Sequence, residues 1–152
     1  MIFVLALLIG VVAGLRAMMA PAAVALAARF HAWPLEGSWL AFMGYRFTPW
    51  IFLIAALGEL VTDKLPSTPS RKVAAQFGAR VVLGALAGGT IGATQGSALV
   101  GGLCGAIGAV AGTLGGAAAR GALAARFGSD RPAALLEDAV AIAGAFLIVT
   151  AV

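Results

Sequence analysis

Long apolar blocks are the feature that most constrains how this chain can fold. The longest covers residues 73–119, more than one membrane helix needs, because about 20 apolar residues cross a hydrocarbon core roughly 30 Å thick. Hydrophobic residues make up 62% of the 152 residues and charged residues only 11%, whereas a soluble domain is roughly a quarter charged. The composition therefore excludes a soluble enzyme, a disordered tail and a nucleic-acid-binding module. It predicts an integral membrane protein.

The order of the apolar blocks predicts an all-α bundle within a single transmembrane domain. The longest block is weakest at Thr94-Gln95-Gly96-Ser97, which favours two helices there. Thr48-Pro49 and Ser129-Asp130-Arg131-Pro132 are typical helix starts, since in each a capping residue is followed by a proline. We therefore expect about five membrane spans, at residues 2–28, 47–62, 73–95, 98–119 and 132–152.

The basic residues of the connecting segments predict an orientation. Five spans place alternate loops on opposite sides, and one side then carries more Lys and Arg than the other, which has only Arg29 and Arg46. An excess of basic residues marks the cytoplasmic side. We therefore expect a cytoplasmic N terminus and an external C terminus. The residues on the more basic side are Lys64, Arg71, Lys72, Arg120, Arg126 and Arg131.

Glycines recur at regular spacing in the third and fourth spans. In lipid, helices associate through the close backbone approach that small residues permit. This spacing predicts tight glycine-mediated packing, either with a neighbouring helix or with another subunit, and a glycine-lined pore is the less favoured alternative. The predicted packing residues are Gly84, Gly88, Gly92, Gly96, Gly101, Gly105, Gly108, Gly112 and Gly116.

Arg16 is the most unusual residue, because it lies near the middle of the first span. A charge there costs at least about 2.5 kcal/mol, so Arg16 must face protein or water and find an acidic or carbonyl partner. Pro21 favours a break in the same helix, which would expose backbone groups useful for binding. The alternative is that Arg16 only locks the bundle through a buried ion pair.

The acidic residues indicate where partners for Arg16 lie. Glu59 and Asp63 share one face at the inner end of the second span, because they are four residues apart. The opening turns of the last span contribute two more carboxylates at the same membrane level. The cluster is either a functional polar site or a structural ion-pair network. Its candidate ligand or pathway residues are Arg16, Glu59, Asp63, Arg80, Glu137 and Asp138.

Signatures of enzymes and cofactors are missing from the sequence. It contains no His-x-x-x-His motif and no phosphate-binding loop of the Gly-x-x-x-x-Gly-Lys type. The single Cys104 excludes an intramolecular disulfide and a zinc site built on several cysteines. Three of the acids could hold a divalent cation, but their spacing is common. We therefore expect no catalytic residue, no metal and no cofactor.

Residues 10–30 and 108–127 resemble each other. Both contain Gly-x-Val-Ala-Gly, and both end in Ala-Leu-Ala-Ala-Arg-Phe. With five spans the two segments run in opposite directions, which would make an inverted repeat of the kind that builds the midplane site of many transporters. The alternative is that shared alanine and glycine composition produces the match.

Three segments resemble a family of bacterial membrane proteins. They are GLRAMMAPAAVALAAR, GELVTDKLPSTPSR and the glycine-rich third and fourth spans, which look like the proteins grouped as domain of unknown function 4126. The resemblance covers nearly the whole chain. It implies a small multi-span protein of the bacterial inner membrane, with no established activity and no catalytic residues.

Two functions from different classes follow from these observations. The first is a carrier or channel for a small polar solute, an ion or a lipid headgroup, with Arg16, Glu59 and Glu137 at its site. The second is a structural or assembly subunit without transport activity. Membrane lipids are expected partners and nucleic acid is not. A homo-oligomer, with a dimer favoured, is expected because 152 residues leave little room to enclose a pathway.

Overall fold

The computed structural model describes residues 1–63 and 73–152, and within them all regular structure is helical. Three of its helices, α4 to α6, are long and apolar enough to cross a membrane, while α1 to α3 are apolar but shorter. The elements in chain order are α1 Ile2–Leu15, α2 Met19–Phe30, a 3₁₀ helix Trp39–Gly44, α3 Thr48–Thr62, α4 Ala74–Ala93, α5 Ala98–Phe127 and α6 Asp130–Thr150.

The first predicted span is wrong as a single helix, because the structure divides residues 2–28 between α1 and α2. Arg16 follows α1 in an extended conformation, and α2 begins at Met19. Pro21 accounts for the break. In a continuous helix its ring would collide with the carbonyl group four residues earlier, that of Ala17. The helix therefore restarts, and Pro21 lies in the first turn of α2, where its missing N–H costs nothing.

Helices α1 and α2 form a hairpin whose two ends lie on one side of the molecule, here named the termini side. Met1 lines a surface cavity of about 510 Å³ together with Gln95 and Val152. His31, just after α2, lines a second cavity with Thr150. The described residues form six α-helices, and Met1 and Val152 lie near each other, so the five predicted spans with termini on opposite sides are not confirmed. On the other side, the loop side, α3 ends, α4 begins and α5 turns into α6.

Glycines bring α5 into close contact with α4 and with α1. A Cβ atom added at Gly88 of α4 would lie 2.5 Å from the carbonyl oxygen of Gly101 and 2.8 Å from the Cα of Gly105. A Cβ atom at Gly14 of α1 would lie 2.5 Å from the carbonyl oxygen of Ala109. Real Cβ atoms do not approach backbone this closely, so these positions require glycine. These contacts lie between helices of one chain.

The predicted glycine set needs one correction. Gly96 does not pack against a helix: it adopts φ +69° in the α4–α5 turn, and a Cβ atom there would meet nothing within 4 Å. This left-handed conformation is what favours glycine at that position. Gly116 is buried in α5. The other members would each place a Cβ atom closer than 3.0 Å to another segment, namely Gly84, Gly88, Gly92, Gly101, Gly105, Gly108 and Gly112.

The two segments of the predicted inverted repeat do not share a structure. Residues 10–30 contain the break between α1 and α2, whereas residues 108–127 form a continuous part of α5. Helices α1 and α5 also run in the same direction, since Gly10 lies against Gly105 and the next turn of α1 lies against the next turn of α5. An inverted repeat is therefore not confirmed.

Helix α5 continues beyond its predicted end. It has 30 residues, which corresponds to about 45 Å, so residues 120–127 are helical instead of forming a loop. Gly128 ends the helix in a left-handed conformation with φ 69°, a common helix terminator. Helix α6 then begins at once, and its 21 residues extend about 31 Å.

Candidate functional site

The end of α1 inside the molecule is capped by an arginine. The last carbonyl groups of a helix have no partner within it, and in α1 those of Gly14 and Leu15 accept hydrogen bonds from Nη1 of Arg80, at 3.0 and 2.8 Å. Arg80 is buried in α4. A cation at a helix C terminus is also favoured by the helix dipole. Arg80 therefore stabilises the end of a helix that stops inside the protein.

The start of α2 is capped by a carboxylate in the same way. The backbone N–H groups of Ala17 and Met18 donate to the two side-chain oxygens of Glu59, each at 2.8 Å. Glu59 lies in the last turns of α3, so α3 reaches across to the hairpin. An anion at a helix N terminus is favoured by the dipole and satisfies free N–H groups. The two ends that Pro21 creates are thus capped by opposite charges.

Arg16, at the tip of the hairpin, is completely buried, with 0% of its surface exposed. Its guanidinium group pairs with Asp63 at the end of α3 and with Asp138 of α6, the latter at 2.5 Å. Glu137 lies 3.9 Å from the same group. Among the residues that the structure describes, the Nε of Arg16 has no hydrogen-bond partner. Arg16 therefore links the hairpin tip to α3 and α6.

Further ion pairs join these contacts into one network. Nη2 of Arg80 lies 3.5 Å from Glu59 and 4.0 Å from Asp63, so the two caps also contact each other. Toward the loop side, Glu137 lies 3.3 Å from Nη1 of Arg120 in α5. The network therefore connects all six described α-helices around the tip of the hairpin.

The network reaches the surface on the loop side. Arg120 binds both side-chain oxygens of Asp130, through Nε at 2.8 Å and Nη2 at 2.5 Å. The side chain of Asp130 is 61% exposed, whereas that of Glu137, on the other side of Arg120, is only 7% exposed. Charged groups thus lead from the surface inward to Arg16.

The structure brings all the predicted site residues together. We refer to the set as the charged cluster. One detail differs from expectation: Glu59 binds the backbone of α2 and not Arg16, whose direct partners are Asp63 and Asp138. Asp130, which extends the network to the surface through Arg120 but lies outside this cluster, was missed, although its position in a helix-start motif was a usable signal. The cluster comprises Arg16, Glu59, Asp63, Arg80, Glu137 and Asp138.

Among the residues that the structure describes, no charged path continues from the cluster to the termini side. The helix segments between the cluster and that side contain no Asp, Glu, Lys, Arg or His. These segments are residues 2–15, 19–28, 48–58, 81–93, 98–119 and 139–150. Buried Ile9, Val24 and Ile91 occupy the core there. The arrangement is therefore one-sided, with charged groups from the loop side to the hairpin tip and apolar packing beyond it.

The chemistry available at the cluster is ion pairing and hydrogen bonding. Within residues 1–63 and 73–152, no group of three or more His, Cys, Asp or Glu side chains is arranged to hold a metal ion. The segment 64–72, which carries Lys64, Arg71, Lys72 and part of the family-like motif, lies outside the described residues.

Comparison with known proteins yields no relative. No family model matches the chain, no curated protein is similar to it, and no solved structure matches it. The resemblance to the proteins grouped as domain of unknown function 4126 therefore stays a prediction.

Proposed function

We propose that the chain is a small multi-pass carrier of the bacterial inner membrane that binds a small polar solute or ion at the charged cluster. The broken hairpin is the observation that carries this proposal, since α1 and α2 end inside the molecule against buried charges. Non-helical backbone at membrane depth is tolerated where protein or a polar cavity satisfies it. Discontinuous helices ending at a charged site are typical of many transporters.

The one-sided distribution of charge favours a carrier over an open channel. Charged groups lead from Asp130 to Arg16, but the helices beyond the hairpin tip have only apolar and small residues. Release of a solute to the termini side would therefore require the hairpin to move. Such a movement would separate α1 and α2 from α3 and α4, which supply Glu59, Asp63 and Arg80.

We propose that the loop side faces the cytoplasm. This orientation places Arg120, Arg126 and Arg131 inside, in agreement with the positive-inside rule. Because Met1 and Val152 lie together on the termini side, both termini then face outward. This orientation replaces the cytoplasmic N terminus that five spans would give.

A homodimer and contacts with membrane lipids are part of the proposal. Gly88, Gly101 and Gly105 pack against helices of the same chain, so we do not place the interface between subunits on them. Helix α3 buries only Pro49 and Ala56 and exposes Ile51, Ile54 and Leu57. Lipid or a second copy of the chain would cover that face.

A structural or assembly subunit is the second candidate, and the two caps favour it. Arg80 and Glu59 are occupied in holding the ends of α1 and α2. Both residues therefore have a role in folding even if nothing is transported. The same contacts would then serve only to keep the hairpin in place.

Flux through liposomes separates these two candidates. The full chain is reconstituted into vesicles loaded with a pH-sensitive dye, and proton, potassium and chloride gradients are imposed in turn. Glycerol uptake, followed by light scattering, tests a neutral polar solute. A carrier raises the rate for at least one probe above that of protein-free vesicles, and a structural subunit raises none.

Asp138→Asn and Glu36→Gln form a matched pair of variants for this assay. Asp138 contacts Arg16 in the cluster, whereas Glu36 is exposed far from it. We expect Asp138→Asn to lower the flux by about tenfold or more, since a charge-assisted contact is worth about 1.5–3 kcal/mol. Glu36→Gln should keep the wild-type rate. Equal rates for wild type and Asp138→Asn would show that the cluster is not the site.

A further inference from the structure

Within residues 1–63 and 73–152, Arg126 and Arg131 on the loop side lie outside the ion-pair network. Arg126 lies at the end of α5, and Arg131 lies in the first turn of α6. Both are exposed, and neither makes an ion pair or a side-chain hydrogen bond with the residues that the structure describes. Arg120, close by, is in contrast held by Asp130 and Glu137. Arg126 and Arg131 are thus available to bind an external anion.

Helix lengths place these two arginines at the level of lipid headgroups. Helix α6 extends about 31 Å from Asp130, close to the roughly 30 Å of the hydrocarbon core, so its start lies at the boundary with water. Arg120 contacts Asp130, and the remaining residues of α5 extend about 9 Å farther to Arg126. Arg131 therefore lies at the edge of the hydrocarbon, and Arg126 lies in the headgroup layer.

Apolar side chains lie next to these arginines. A cavity of about 370 Å³ is lined by Asp130, Arg131, Ala134 and Leu135, and Leu135 is 58% exposed. Phe127 is 49% exposed, immediately after Arg126. Arginine side chains next to apolar side chains fit an amphipathic anion better than a fully water-soluble anion.

We propose that Arg126 and Arg131 form a binding site for an anionic phospholipid. Its phosphate group contacts the two guanidinium groups, and its acyl chain lies along the exposed Leu135. Arginine matches phosphate geometry through paired N–H donors. Basic residues near a membrane surface attract anionic lipid strongly enough for two of them to raise affinity about 30-fold. The carboxylate of Asp130 does not oppose this binding, because Arg120 neutralises it.

Native mass spectrometry of the full chain in detergent tests the site. The protein is titrated with phosphatidylglycerol and, separately, with phosphatidylcholine, which has the same chains but no net charge. We expect wild type to prefer phosphatidylglycerol and Arg126→Gln/Arg131→Gln to lose about 30-fold in affinity for it. Arg126→Lys/Arg131→Lys retains the charge and should keep most of the affinity. The matched control is Arg29→Gln/Arg46→Gln, which removes two exposed arginines at other positions.

Each other result overturns the proposal. Equal binding of the two lipids by wild type excludes a site for anionic headgroups, and this comparison needs no variant to fold. An equal loss in the control variant shows that the effect is overall charge and not a site. Inorganic phosphate that displaces phosphatidylglycerol at equal affinity shows a free anion site, with no part for the acyl chain.

Discussion

Arg16→Met is the sharpest test of what the charged cluster does for the fold. The side chain is completely buried and its guanidinium group contacts Asp63 and Asp138. Removing one partner of a buried ion pair costs about 3–5 kcal/mol, because a charge stays behind in a medium of low dielectric. We expect Arg16→Met to lower the free energy of unfolding by that amount. With 152 residues, the midpoint of thermal unfolding should fall by roughly 10 °C.

The triple variant Arg16→Met/Asp63→Asn/Asp138→Asn should recover most of this loss. It removes the arginine and both direct partners together, and replacing a buried ion pair by uncharged groups is often neutral. We expect it to unfold within about 1–2 kcal/mol of wild type. Arg16→Met/Glu59→Gln should show no such recovery, because Glu59 pairs with the backbone of α2 and not with Arg16.

Equilibrium unfolding in detergent micelles, followed by circular dichroism, measures these differences. Arg29→Met is the matched control, since Arg29 is an exposed arginine near the end of α2, and its stability should match that of wild type. An Arg16→Met variant as stable as wild type would show that these ion pairs do not stabilise the fold. A triple variant no more stable than the single one would show that the cost does not come from unpaired charge.

Two further predictions concern the packing and the topology. Gly88→Ala should destabilise the fold by about 1–3 kcal/mol through overpacking, because its Cβ atom would meet backbone of α5. The control Gly115→Ala has open space around it and should be neutral or slightly stabilising in the same unfolding assay. Epitope tags at Met1 and Val152 should be protease-accessible from the same side of sealed vesicles, and opposite accessibility would contradict the hairpin.

The sequence alone was sufficient for the class of protein and for the identity of the charged residues. Membrane insertion follows from local composition, since each apolar residue favours lipid independently of its partners. The spacing of glycines such as Gly88 and Gly105 likewise marks close helix contacts, because only small residues permit backbones to approach. Arg16 is recognisable for the same kind of reason, as a charge in an apolar block needs a partner wherever the chain places it.

Only the tertiary structure decided the direction of the helices and the pairing of the charges. An apolar stretch such as residues 2–28 has the same hydropathy whether it crosses a membrane once or turns back as a hairpin. The turn depends on backbone groups at the tip, and these are satisfied by Glu59 and Arg80, which lie far away in the sequence. Because residues 2–28 turn back as a hairpin, the N terminus lies on the opposite side from the one that a single span would give. Pairing between distant helices is a property of the packed chain, so local sequence cannot specify it.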